Sequence, residues 1–202
     1  MRTAIFTMLS LLVFGLMVTN QVSAQENKLC APDYDVGSIK NVSIDENADY
    51  VFNEIEIIVD RPIDKYDKWN RYDTSLEEIL PGVSLRILND KKPWEDGHRR
   101  IICNSDGTTA VEEIIKVISE KYFLYKVWNY SNPFFAERVE YAKGEFWYTP
   151  MGNKTHIRWR YSFKLSDEKY RQEFESFVKN FWNSWMISTL NRIKKLAEET
   201  IR

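Results

Sequence analysis

The segment that most constrains this chain runs from Asp167 to about Thr200: it contains neither proline nor glycine, and Phe174, Phe177, Phe181 and Trp185 recur in it at spacings of three and four. That spacing marks one face of a long amphipathic helix. The five segments before it read as strands, at 98–103, 108–118, 122–130, 138–149 and 155–165. Ser105-Asp106-Gly107 and Met151-Gly152-Asn153 supply hairpin chemistry between them, because Asp, Asn and Gly accept the left-handed backbone of tight turns. The last strand alternates cleanly. Ile157, Trp159, Tyr161 and Phe163 take one face, and His156, Arg158, Arg160 and Lys164 take the other. A sheet apolar on one side, followed by a helix with an aromatic stripe, predicts an α+β domain in which the two bury each other.

Upstream the pattern is less regular. Residues 39–44 alternate as a strand, Asp45 can cap a helix that turns Val51, Phe52 and Ile55 inward, and the region 56–80 reads as one or two short helices. Leu80-Pro81-Gly82 then turns the chain into a strand carrying Val83, Leu85 and Ile87. The predicted order is strand, helices, about six antiparallel strands, long helix.

The N-terminus has the form of a secretory signal over residues 1–24: Arg2, an apolar run from Ile5 to Val18, and Val22-Ser23-Ala24 before Gln25. The run falls short of the roughly 18–20 residues that a membrane span needs. Export to a periplasm or the exterior is expected, followed by a polar arm at 25–38 and one folded domain at 39–202. Cys30 and Cys103 can pair in an oxidising compartment, against the alternative of two unpaired thiols.

Composition narrows the partners. With 28 basic and 30 acidic residues the net charge is −2, so no overall field favours nucleic acid or an anionic membrane. The basic side of the last strand has Glu137 and Glu140 nearby to neutralise it. No Gly-x-Ser-x-Gly elbow, phosphate loop, His-x-x-x-His or Cys-x-x-Cys occurs, and neither a metal nor a cofactor is implied. The two histidines, His98 and His156, read as surface residues.

The element order, together with Asn47-Ala48-Asp49-Tyr50-Val51-Phe52, Trp69, Leu80-Pro81-Gly82-Val83, Asp106-Gly107 with Glu113, and Pro150-Met151-Gly152-Asn153-Lys154-Thr155 before Trp159 and Phe163, resembles the START-like (SRPBCC) helix-grip superfamily. The likeness is to its polyketide cyclase/dehydrase and lipid-transport members. It implies a curved antiparallel sheet of six to seven strands wrapped around the C-terminal helix, two short helices after the first strand, and a cavity between sheet and helix. The implied function is binding or transport of a small hydrophobic molecule, lipid-, sterol- or polyketide-like. A cyclase or dehydratase using the same cavity, or a filled protein-interaction scaffold, is the alternative.

On that resemblance Phe146, Tyr148, Trp159, Tyr161, Phe174, Phe177, Phe181 and Trp185 are candidate wall residues. Glu113, taken as the inward member of the Glu112-Glu113 pair, is the candidate for a ligand's polar head and a weak candidate for proton transfer. The alternative for Glu113 is a cross-strand ion pair with Arg99, Arg100 or another basic neighbour. The charged loop 89–97, with Pro93 and Trp94, is either a lid over the cavity or a longer hairpin connection.

Overall fold

A computed structural model describes residues 37, 39–63, 72–92 and 94–199. Seven strands form one antiparallel sheet in the order β1-β7-β6-β5-β4-β3-β2. They are β1 Tyr50–Val59, β2 Ser84–Ile87, β3 Arg99–Cys103, β4 Thr109–Ile118, β5 Tyr122–Trp128, β6 Val139–Met151 and β7 Lys154–Leu165. Between them lie α1, Tyr72–Ile79, and α2, Pro133–Arg138. After a short 3-10 turn at Glu168–Tyr170, the C-terminal helix runs as α3 (Arg171–Phe177), a π turn (Val178–Trp182) and α4 (Asn183–Glu199). The helix lies on the concave face, where Phe174, Val178, Met186, Leu190, Ile193 and Ala197 join the core.

The strands from β3 to β7 begin and end within two residues of the positions read from alternation and turn residues. Gly107 and Gly152 take φ of +82° and +66° in the two hairpins, a conformation that costs glycine nothing. Asp106 Oδ1 accepts from the Thr108 backbone N–H at 2.9 Å and closes the first of them.

The N-terminal third differs from the expectation. Residues 50–59 form β1, paired with β7 along its whole length, and not a helix. Val51 and Val59 are buried while Phe52 and Ile58 face solvent, so the period is two. A segment rich in Val and Ile suits a pleated edge better than a helix. Residues 39–44 are not a strand but a strap across the convex face: Lys40 O accepts from Trp128 Nε1 at 2.6 Å, and Val42 O accepts from Lys126 Nζ. Ile39, Val42 and Ile44 pack over Val111, Trp128 and Tyr141. Side chains thus satisfy carbonyls that a ladder would otherwise use. Asp45 caps a turn, accepting from the Asn47 N–H at 2.9 Å.

Of the two short helices expected after the first strand, α1 is present, and residues 64–71 lie outside the described residues. So do residues 1–36, and with them the signal segment, most of the arm, and Cys30. Cys103 is disulfide-bonded, and Cys30 is the chain's other cysteine. Helix α2 was not anticipated, although Asn132-Pro133 is its signal: Asn132 Oδ1 accepts from the Phe134 N–H at 3.0 Å, and Pro133 occupies the first helical turn, where no N–H is needed.

Candidate functional site: an aromatic cavity

Sheet curvature and the helix leave a cavity of about 390 Å³ between them. Its floor comes from alternate residues of five strands: Arg100 and Ile102 of β3, Ala110 and Glu112 of β4, Phe123, Tyr125 and Val127 of β5, Phe146 and Tyr148 of β6, and Ile157, Trp159 and Tyr161 of β7. Its roof is Trp182, Trp185, Thr189 and Ile193 of the helix. Near the ends of the strands Leu76, Ile79 and Leu80, Trp94, Asp106 and Tyr130 are among the residues that add to the lining.

The aromatic rings form a connected shell. Phe146 stacks on Trp159 at 5.0 Å, Trp159 meets Trp185 at 5.7 Å, Trp185 meets Trp182 at 4.4 Å, and Trp182 meets Tyr161 at 4.9 Å. Such rings bury large areas with few rotatable bonds, which makes a wall that holds its shape. One glycine makes room for part of it. A Cβ on Gly144 of β6 would fall 2.1 Å from Tyr125 Cζ, so the Tyr125 ring lies flat across the β6 backbone and leaves the space above it open.

Of the residues named from sequence, Phe146, Tyr148, Trp159, Tyr161 and Trp185 line the cavity together. The other three aromatics of the helix do not. Phe174 is fully buried in the core against Phe134 and Phe163, Phe177 packs on Phe134, and Phe181 is 42% exposed. The π turn is the physical reason. It adds a residue to one turn, so the inward face that starts at Phe174 continues through Val178 and Trp182, not through Phe177 and Phe181. Trp182, four residues after Val178, enters the wall in place of Phe181.

Glu113 is also displaced. It lies on the convex face, paired with Arg99 at 3.3 Å and Lys126 at 3.2 Å, which is the cross-strand alternative. Glu112 faces the cavity. Counting alternation back from Val117 would turn Glu113 inward, but an irregularity between Ile114 and Lys116 shifts the phase by one residue. Glu112 Oε1 accepts from Arg100 Nε at 2.8 Å and from the second guanidinium nitrogen at 2.6 Å. The strand register makes this pair, since Arg100 stands directly opposite Glu112. Both belong to the cavity lining, as does Tyr130, whose hydroxyl donates to Val127 O at 3.1 Å. Burial first, then Tyr161 and Glu112, pushes the Tyr130 phenol well above its ordinary value; burial, then Glu112, does the same to Tyr161.

The remaining candidates have structural surroundings. His98 is buried, against expectation, with Nδ1 2.7 Å from Lys91 O in the β2–β3 loop. His156 and Arg160 pair with Glu56 and Glu54 of β1, not with Glu137 or Glu140. The 89–97 loop is pinned by Asn89, which donates to Gly97 O and accepts from the Arg99 N–H. It holds Trp94 at φ +69° against Phe123, ring centroids 4.9 Å apart, so the loop supplies one wall residue. Among the described residues no group of His, Cys, Asp and Glu is placed to hold a metal ion, and no helix is long and apolar enough to cross a membrane.

A seven-stranded antiparallel sheet gripping one long C-terminal helix, with a cavity between, defines the Bet v1-like helix-grip fold. Solved structures similar to this chain include norcoclaurine synthase from Thalictrum flavum in complex with dopamine and hydroxybenzaldehyde (18% identity, TM-score 0.57, covering 82% of this chain and 99% of that one). Ara h 8.0201 is similar at 12% identity and TM-score 0.55, over 74% of this chain and 98% of that one. A protein from Nitrosospira multiformis is similar at 13% and 0.56, over 71% and 94%. At these identities the likeness is one of fold. No family model and no curated relative matches the chain.

Proposed function

We propose that this chain is an exported container for a small, largely apolar molecule, held between the concave sheet face and the C-terminal helix. The observation that carries the reading is the cavity itself: about 390 Å³, walled by aromatic rings from both layers. Binding would draw on removal of apolar surface from water, with a few polar groups orienting the ligand. That a protein of this fold, the Thalictrum flavum enzyme, holds two small aromatic molecules supports the reading. A disulfide at Cys103 agrees with export to an oxidising compartment.

The site favours containment over cyclase or dehydratase chemistry. Glu112, the one carboxylate deep in the cavity wall among the described residues, is bound by Arg100, and the Tyr130 and Tyr161 phenols are held in their protonated form. A filled interaction scaffold would lack a cavity of roughly 300 Å³ or more, the lower range for ligand sites.

The experiment is mass spectrometry of solvent extracts from the purified mature protein, with uptake of the neutral fluorophore N-phenylnaphthylamine measured on the stripped protein. Saturable uptake, or a co-purified apolar compound, is expected. Protein that neither carries nor takes up any such molecule would sink the reading.

A further inference from the structure

The rings on the cavity floor share an orientation. Phe146 is 8° from parallel with Tyr148 and 10° from parallel with Trp159, at centroid distances of 6.1 and 5.0 Å. Tyr125 and Phe123 are 28° and 29° from parallel with Phe146, at 6.4 and 6.2 Å. Five of the described lining rings, from three neighbouring strands, are thus aligned around Phe146. Tyr125 lies flat across the β6 backbone at Gly144, so the set turns its faces more than its edges toward the helix. Flanking rings stand across that direction: Tyr161 is at 77° to Trp159 and 68° to Tyr125, and Trp185 of the helix is at 56° to Trp159.

From this arrangement we infer that the cavity is built for a flat aromatic ring system, which it takes in preference to an acyl chain or a saturated ring with the same number of carbons. The inference rests on the container reading and adds the chemical class of the cargo. An aromatic ring has a negative face and a positive edge, and pairs of rings gain from offset-stacked or edge-to-face contact beyond what burial of their area gives. A planar ligand laid parallel to the floor reaches both kinds of contact at once. It stacks, offset, on the aligned rings, and it meets Tyr161 and Trp185 in the crossed orientation of an edge-to-face pair. An acyl chain or a saturated ring in the same space gains burial and dispersion but neither of these contacts. Phe123, Tyr125, Phe146 and Trp159 are buried among one another, so the orientation is set before a ligand arrives and costs little at binding.

The test displaces N-phenylnaphthylamine from the intact mature protein at neutral pH with naphthol, decahydronaphthol and decanol, three neutral alcohols with the same number of carbons. Apolar burial alone ranks naphthol last, because the saturated probes carry more apolar surface. The aligned floor is expected to invert that order, with naphthol binding at least about ten-fold tighter than either, a difference of about 1.4 kcal/mol. Phe146→Leu keeps an apolar side chain at the centre of the floor and should cut the lead of naphthol to less than about three-fold. An undiminished lead in that variant, once folded, would place its source outside the floor rings and overturn the inference. Equal or tighter binding of decahydronaphthol or decanol by the unaltered protein overturns it as well while leaving the container reading standing, and that comparison needs no variant to fold. If the protein takes up neither the fluorophore nor any of the three alcohols, the container reading fails, and the inference with it.

Discussion

Gly144→Ala puts the shape of the cavity to its most direct test. The added methyl would sit 2.1 Å from Tyr125 Cζ and 2.3 Å from both Cε1 and the hydroxyl oxygen. Ordinary carbon contacts are about 3.5 Å, so the overlap with Cζ is about 1.4 Å. Tyr125 is nearly fully buried, stacked on Phe123 at 5.3 Å and edge-on to Tyr161 at 6.1 Å, and the open space beside it is the cavity. The ring must therefore swing into the volume a ligand would use. Forcing a side chain out of a packed position costs about 1–3 kcal/mol. Replacing a strand glycine returns about 0.5–1 kcal/mol by restricting the unfolded chain, which leaves a net loss of at most about 2.5 kcal/mol. Urea unfolding should show a lower midpoint with an unchanged slope, and fluorophore affinity should drop at least about ten-fold. Tyr125→Ala in the Gly144→Ala background removes the clash, so the two changes should couple by more than about 0.5 kcal/mol. An unaltered midpoint together with unaltered affinity in Gly144→Ala would mean that Tyr125 does not lie across Gly144, and the account of the cavity floor would be wrong.

The aromatics separate by position: Trp159→Ala in the β7 floor should cost about 3–5 kcal/mol and alter fluorophore binding, whereas Phe181→Ala on the outer side of the helix should change stability by no more than about 0.5 kcal/mol and leave binding alone. Equal damage from the two would contradict the π-turn register. Glu112→Gln, which removes the carboxylate that accepts two hydrogen bonds from the buried Arg100, should lose about 3–5 kcal/mol in denaturant titrations. Glu113→Gln, in a partly exposed pair, should lose about 1–2 kcal/mol, and the reverse ranking would refute the assignment of faces. At alkaline pH, Tyr130 and Tyr161 are raised by burial, as are Tyr50 and Tyr122. Their neutral state contributes stability fully below the unfolded value of about 10, and that contribution is lost as pH rises above it, because the unfolded chain ionises first. Ultraviolet titration should find these tyrosines silent near pH 10 until unfolding begins; if all 11 tyrosines ionise together in folded protein, the burial of the phenols is disproved.

What the amino-acid order determined by itself is local. Alternation in 155–165, the Asp106-Gly107 and Gly152-Asn153 turns, and a helix free of Pro and Gly are written in neighbouring residues, so β3 to β7 and the C-terminal helix could be read directly, and with them five of the cavity aromatics. What the tertiary structure alone decided is phase and partnership over distance. The irregularity after Ile114 put Glu112 and not Glu113 inside, the π turn exchanged Phe181 for Trp182, and pairing with β7 drew Tyr50–Val59 into a strand where Val51, Phe52 and Ile55 also fit a helix. In the first two cases one residue of slip turns a different side chain inward. Its energetic consequence is felt only against residues far away in the chain: Arg100 for Glu112, Tyr161 for Trp182, Tyr125 for Gly144.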